Sequence, residues 1–272
     1  NRGSLQVPMI PYLNNILREF PEELGDIATS PGADHLFKVR PKEEARILPE
    51  EQAVAFHHTT AQLLFLSSRA QRDIQTAVAF LTTRVREPDE DDCSKLRRVL
   101  KYLKGTRGLK LTLSIDSLLV VKWWVDALYA THEDCKGHTG AMMSLGKGAV
   151  TSFSRKQKIQ GKSSTEDKLI GVDDTLPQAL WTKYFIEAQG YTVDHNIIKQ
   201  DNKSALLLEA NGTFSSSKRT KHIKTRYFFV KDKVAQGDIE LEHCPASAPF
   251  PDERMWADVL TKPKLGLPYL ED

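Results

Sequence analysis

A long amphipathic segment in the second half of the chain limits the possible folds more than any other feature. Ser164 or Thr165 can cap a helix there, and Glu166 lies in its first turn, where the helix dipole favours a carboxylate. Apolar residues then recur with helical spacing at Leu169, Val172, Leu176, Leu180 and Tyr184. This spacing predicts a helix that buries one face. Pro177 lies within it and is expected to kink it or break its hydrogen-bond ladder.

Three more acids lie at or near the ends of predicted elements. One strand-like run ends at Asp126, a second ends at Asp201, and Asp258 lies on a short helix near the end of the chain. Together with Glu166, they give the order strand end, helix start, strand end, late helix. The chain contains 36 Asp and Glu residues, so the number of these acids proves nothing and only their placement is informative.

The hydrophobic period divides the chain at about residue 108. Before it, helices are predicted from Pro49, from about Asp73 and from about Asp89, each with helix-start chemistry or an apolar face. After it, the period becomes strand-like. The predicted strands are Leu109–Ser114, Val120–Val125, His138–Leu145 and Ala149–Phe153. We therefore predict two domains, a mostly helical one over 1–108 and an α/β one over 109–272.

Positive charge is concentrated in two places, although the formal net charge is only +2. The helix predicted from Asp89 has a basic face, which is either solvated or a clamp on the backbone of a nucleic-acid duplex. Its residues are Lys95, Arg97, Arg98, Lys101 and Lys104. The second concentration lies between Phe214 and Lys233, where seven Lys or Arg residues stand against one Asp. Such a run is either a solvated helix face or a surface that contacts phosphates.

Composition excludes several classes of protein. The three cysteines, Cys93, Cys135 and Cys244, are odd in number and far apart, which argues against a disulfide scaffold or a zinc site. No apolar run reaches membrane-spanning length, and no signal-peptide pattern is present at the N-terminus. We expect a cytoplasmic or nuclear protein that is not secreted and has no membrane partner. Because the chain begins at Asn1 instead of Met, we also expect a fragment of a longer polyprotein.

Several blocks of sequence resemble, in order, the ribonuclease H end of copia-type retrotransposon Pol polyproteins. The blocks are VVKWWVDALYA, HTGAMMSLGKGAV, KSSTEDKLIGVDD, QDNKSALLLEANG, RTKHI and ADVLTKP. The region from Arg72 to Thr106 resembles the segment that links the reverse transcriptase to that domain. The resemblance implies a ribonuclease H-like mixed five-stranded sheet flanked by helices and preceded by a small helical connection region. It also implies that the RNA strand of RNA–DNA hybrids is cleaved during reverse transcription, within a compartment such as a virus-like particle.

The resemblance also implies roles for particular residues. Asp126, Glu166, Asp201 and Asp258 would be the catalytic acids and would hold two Mg²⁺ ions, for which Mn²⁺ can substitute. Such a metal pair activates water and stabilises the leaving oxygen. The hybrid would contact Asn202, Ser204, Lys218, Arg219, Lys221, His222 and Arg226, and the rest of the polyprotein would be a second partner.

Two departures from the family pattern bear on activity. Leu128 occupies a position where relatives have Ser or Asp. We expect its side chain on the same strand face as Asp126, because residues two apart on a strand share a face. An apolar side chain there would weaken cleavage, and Leu128→Ser would restore it. Relatives have the motif S-T-E-A-E, and in this chain Lys168 replaces its second Glu. Because residues two apart on a helix point to opposite sides, we expect Lys168 to point away from the metals. The rival hypothesis is a decayed or repurposed copy that binds nucleic acid without cleaving it. RTKHI and ADVLTKP argue against an integrase of the same fold.

Overall fold

The helices of the N-terminal half assemble around one apolar core. The computed structural model describes residues 3–203, 206, 221–245 and 254–263, and for 221–227 it describes the backbone alone. The first elements are strand β1 (Ser4–Val7), helix α1 (Ile10–Glu19), helix α2 (Glu50–Arg69), helix α3 (Gln75–Thr82) and helix α4 (Glu90–Gly105). Their shared core includes Leu13, Phe56, Leu81 and Leu100, each almost fully buried.

Helix α4 begins at a capping box. The Asp89 carboxylate accepts a hydrogen bond from the backbone N–H of Asp92 at 2.8 Å, and the Asp92 carboxylate accepts one from the backbone N–H of Asp89 at 3.1 Å. Two N–H groups that a helix start leaves without partners are thereby satisfied. Arg84 also donates to Asp92 at 2.9 Å, which ties the end of the preceding helical segment to this cap.

The central sheet has five strands. They are β3 (Val120–Leu128), β4 (His138–Ser144), β6 (Thr151–Lys156), β7 (His195–Gln200) and β8 (Glu240–His243), in the order β6-β4-β3-β7-β8. Strands β3, β4 and β6 are antiparallel, whereas β7 and β8 run parallel to β3. The predicted mixed sheet of five strands is therefore confirmed.

Helices cover both faces of this sheet. Helix α5 (Ser164–Ala188) packs on one face beside helix α6 (Lys221–Ala235), against the odd-numbered β3 residues Val121, Trp123 and Val125. A 3-10 helix (Trp256–Leu260) covers the other face and shares a core with Trp124. Since side chains alternate along a strand, Asp126 and Leu128 lie on the face of the 3-10 helix.

A second, small sheet contains strands from both of the regions that the sequence predicts to be separate domains. Strand β1 pairs with β2 (Leu111–Ile115), which pairs with the two-residue strand β5 (Gly146–Lys147). Residues 50–105 contribute no strand to either sheet, as the helical period predicts. Thr76 on α3 also donates to the backbone oxygen of Val259 at 2.9 Å, so contacts cross residue 108. The division into 1–108 and 109–272 stays a prediction.

Helix α5 differs from the sequence prediction in two details. Helix α5 is capped by Ser163, whose hydroxyl accepts from the backbone N–H of Glu166 at 3.2 Å, so the cap is one residue earlier than expected. Pro177 lies inside α5 without ending it. The other helix–strand boundaries differ from expectation by only a few residues, because caps and fraying set them more than periodicity does.

Candidate active site

Two of the predicted acids meet at one edge of the central sheet. Asp126 is near the carboxyl end of β3, and Asp201 directly follows β7. Because these neighbouring strands are parallel, with Trp124 opposite Lys199, both acids reach the same edge. Asp126 is only 1% exposed, whereas Asp201 is partly exposed. The sheet topology thus accounts for the approach of two residues that are far apart in sequence.

Lys168 lies between these two acids. Its ammonium nitrogen Nζ is 2.5 Å from Oδ1 of Asp126 and 2.5 Å from Oδ1 of Asp201. The side chain is buried, with the residue 8% exposed. The expectation that Lys168 points away from the acids is therefore wrong. Position 168 is four residues before Val172 and eight before Leu176, so it belongs to the buried face of α5.

Glu166 does not join the cluster. One of its carboxylate oxygens accepts the backbone N–H of Lys162 at 2.7 Å, which closes the turn before α5. Residues two apart on a helix point to nearly opposite sides, so Glu166 and Lys168 cannot both face the strand ends. The predicted convergence of four acids is consequently wrong for Glu166: the helix-start position that reaches Asp126 and Asp201 is Lys168.

The charges of the cluster control its protonation. Burial opposes ionisation of Asp126 and by itself would raise its pKa. The charge and hydrogen bond of the Lys168 ammonium outweigh burial, helped by a hydrogen bond from Thr261 and the charge of Lys262, so the pKa of Asp126 lies below its usual value. Burial disfavours the charged form of Lys168 as well, but Asp126 and Asp201 raise the pKa of its ammonium above the ordinary value. The lysine is therefore firmly protonated between the two acids.

Asp258 approaches the cluster from the opposite face of the sheet from α5. Burial raises the pKa of Asp258 to about 6, and the charges of Asp126 and Asp201 add to this effect. The Lys262 ammonium, 2.5 Å from the Asp258 carboxylate, opposes it. Gly140 makes room for this approach, because a Cβ there would lie 2.6 Å from the Cβ of Leu260. Three of the four predicted acids are thus near one another.

A short polar chain fixes the 3-10 helix that carries Asp258. His132 Nε2 is 3.0 Å from His138 Nδ1, and His138 Nε2 is 2.7 Å from the Ser154 hydroxyl. That hydroxyl donates to the backbone oxygen of Leu260 at 2.7 Å. The pKa of His132 is lowered to about 4 and that of His138 to about 3, mainly because both rings are buried. Both rings are therefore neutral near pH 7.

An open cavity of about 480 Å³ lies over the acids. Its lining includes Leu128 beside Asp126, as predicted from the alternation along β3, and Asn202. Its positive residues are Lys168, Lys203 and Lys262. Sequence reasoning missed Lys203, Lys262 and Thr261, whose hydroxyl donates to Asp126. The ADVLTKP motif contains two of them, and its resemblance to the family was the available signal.

The residues present do not fit the expected pair of Mg²⁺ ions. Mg²⁺ binds through carboxylate oxygens, and a fixed positive charge between two carboxylates repels a dication from that place. Here one ammonium already occupies an oxygen of each carboxylate, and Glu166 faces elsewhere. Among the described residues, no three His, Cys, Asp or Glu side chains form a group that could hold a metal ion.

Most of the predicted nucleic-acid contacts fall outside the described residues. Asn202 lines the cavity. Ser204, Lys218 and Arg219 are not described, nor are the side chains of Lys221, His222 and Arg226. The contacts assigned to this basic run therefore stay predictions. Within the described residues, no helix is both long and apolar enough to cross a bilayer.

Sequence comparison finds relatives among transposon polyproteins. The chain is 26% identical over 234 residues to the retrovirus-related Pol polyprotein from transposon TNT 1-94 of Nicotiana tabacum, covering 85% of this chain and 17% of that protein. It is 31% identical over 193 residues to the Pol polyprotein from transposon RE2 of Arabidopsis thaliana, covering 70% of this chain and 13% of that protein. The chain therefore spans less than a fifth of the length of either relative. No family model matches it.

Among solved structures, the chain is similar to ribonuclease H1 from Halobacterium salinarum NRC-1. The identity is 12%, the TM-score is 0.33, and the match covers 56% of this chain and 98% of that one. A TM-score this low adds nothing to the description of the site, which stands on the arrangement of Lys168 between Asp126 and Asp201.

Proposed function

Because this chain is related to the Pol polyproteins of copia-type retrotransposons, we propose that it is a ribonuclease H-like part of such a polyprotein that binds nucleic acid without cleaving it. Its partners in this proposal are an RNA–DNA hybrid and the remainder of the polyprotein. The proposal takes up the rival hypothesis of a decayed or repurposed copy and rests mainly on one residue, Lys168.

The position of the Lys168 ammonium is the observation that carries the proposal. Hydrolysis by two metals needs a carboxylate whose oxygens both ions can share, and Asp126 is the family's candidate for it. In this chain Asp126 gives one oxygen to Lys168 and the other to the Thr261 hydroxyl. A dication at the same place would meet a fixed positive charge at short range. The residue that relatives have at position 168, the second Glu of S-T-E-A-E, would supply a ligand there instead.

Metal-dependent cleavage of the RNA strand is the second candidate function. The proximity of Asp126, Asp201 and Asp258 favours it, since their charges are close enough to affect one another. It would require Lys168 to leave both carboxylates. Loss of its proton is opposed by the raised pKa of the ammonium, and withdrawal of the side chain would leave the buried Asp126 charge without its main partner.

A cleavage assay on an RNA–DNA hybrid with labelled RNA separates the two functions. We expect the wild-type chain to bind the hybrid and to leave the RNA intact with Mg²⁺ and with Mn²⁺. We expect Lys168→Glu to gain metal-dependent cleavage, and a double variant that also has Leu128→Ser to cleave faster. A polar group left without a partner beside Leu128 costs about 1–3 kcal/mol, or roughly tenfold to a hundredfold in rate if felt in the transition state, and the serine would remove that cost.

The matched control is Lys158→Glu, which makes the same charge change at an exposed residue that does not line the cavity. It should bind the hybrid and remain inactive. If the wild-type chain cleaves the RNA strand with Mg²⁺ or Mn²⁺, the second candidate function is correct. If the wild-type chain does not bind the hybrid, the proposed binding function fails.

A further inference from the structure

The basic face of helix α4 is partly used within the protein. Two of its five basic side chains pair with carboxylates, Lys95 with Asp91 at 2.8 Å and Arg97 with Glu22 at 2.5 Å. A third, Lys104, donates to the backbone oxygen of Leu24 at 2.9 Å. Within the described residues, Arg98 and Lys101 form no ion pair with a carboxylate. These two cations therefore decide what the face can bind.

Arg98 and Lys101 line a cavity of about 520 Å³ between α4 and the loop of residues 26–36. The guanidinium Nη2 of Arg98 donates to the Ser30 hydroxyl at 3.0 Å. Its Nε is buried and, within the described part of the chain, has no hydrogen-bond partner. A buried N–H without a partner is costly, and an anion that draws the guanidinium out into the cavity would relieve that cost.

The lining of this cavity suits a phosphate group. Arginine presents its N–H groups in a planar fork that matches phosphate oxygens, and lysine adds a second positive charge. Thr29 and His35 also line the cavity and supply further polar groups. Asp26 is the acidic residue of the lining, so the cavity remains cationic through Arg98 and Lys101.

This cavity adjoins the candidate active site. Gly32 lines the cavity of Arg98, and a Cβ at Gly32 would lie only 2.7 Å from the backbone oxygen of Pro263. Pro263 directly follows Lys262, which lines the cavity over the acids. One short segment, Lys262 and Pro263, thus connects the two cavities.

We propose that Arg98 and Lys101 bind a backbone phosphate of the same nucleic acid that lies over the candidate active site. The proposal assigns a phosphate-binding site to the helical part of the chain and rests on the proposed binding function. It requires positive charge and guanidinium donors but no recognition of base sequence, because phosphate contacts position a duplex without reading it.

Binding measured against salt concentration tests this site. Each lost phosphate contact lowers the slope of log affinity against log salt by about 0.9. For Arg98→Gln and for Lys101→Gln we expect weaker binding of an RNA–DNA hybrid long enough to cross both cavities. The ratio of wild-type to variant affinity should be about threefold larger at about 50 mM than at about 200 mM salt, from the same slope. Lys147→Gln, at an exposed residue that lines neither cavity, is the control and should match the wild type.

A second measurement follows the Nε–H resonance of Arg98 by ¹⁵N NMR, assigned by its loss in Arg98→Lys. The resonance should shift when the hybrid is added and, more weakly, when pyrophosphate is added. If the hybrid binds while both variants keep the wild-type affinity and salt slope, the site is refuted. If the wild-type chain binds no hybrid, the proposed function fails. Pyrophosphate then decides the site alone: a shift of the Arg98 resonance supports an anion site for free phosphates, and no shift overturns it.

Discussion

Replacing Lys168 by methionine removes the charge between the acids and nearly preserves the length of the side chain. Lys168 Nζ contacts Asp126 and Asp201 at 2.5 Å, and its side chain and that of Asp126 are 10% and 2% exposed. Removing one partner of a buried ion pair leaves a buried charge uncompensated and costs about 3–5 kcal/mol. We therefore expect Lys168→Met to lower the free energy of unfolding at pH 7 by about 3–5 kcal/mol.

The loss should shrink in acid. In the wild type, Lys168 and its neighbours hold the pKa of Asp126 below its unfolded value, so the stability from this group is present above the unfolded pKa and lost as pH falls through the folded one. In Lys168→Met, burial acts on Asp126 without that compensation and should raise its pKa above the unfolded value. Protonation then relieves the variant, so the two proteins should become more alike as pH falls from 7 towards 4.

Urea unfolding followed by circular dichroism measures both effects. Lys136→Met is the control, since Lys136 pairs with Asp134 at the surface, where both side chains are at least 33% exposed. Such a pair is worth at most about 1 kcal/mol. If Lys168→Met loses no more stability than Lys136→Met at pH 7, Lys168 does not hold the buried acids together and the argument for a blocked metal site fails with it.

Two further predictions concern stability. His132 and His138 are neutral in the folded protein, with pKa values of about 4 and about 3, but they protonate near pH 6.5 in the unfolded chain. The stability that depends on these rings should therefore be complete above about pH 6.5. Below that pH the free energy of unfolding should fall by up to about 1.4 kcal/mol per pH unit for each ring. Urea unfolding at several pH values measures this slope, and His138→Gln should flatten it; an unchanged slope would contradict the assignment. Asp89→Ala should cost about 1–2 kcal/mol because it removes the cap of α4, and thermal unfolding equal to that of the wild type would show that the cap contributes nothing.

Local sequence spacing predicted most of the helices and strands and their order. The helical spacing that starts at Leu169 predicted α5, and alternating apolar runs predicted β3 and the face shared by Asp126 and Leu128. The switch of period near residue 108 predicted helices before it and a sheet after it. These features depend on local spacing, which is the same whatever the rest of the chain packs against.

Packing between distant elements selects which helix-start residue reaches the acids. Residues two apart on a helix differ by about 200° in direction, so Glu166 and Lys168 cannot both face the acids, and the phase of α5 about its axis selects one of them. Packing of α5 on β3 fixes that phase, and no local pattern contains it. Sequence spacing likewise could not place Gly32 beside Pro263, because that contact joins distant parts of the chain. The candidate residues could therefore be named from the sequence. The positive charge of Lys168 at the centre of the site depends on how α5 packs against β3.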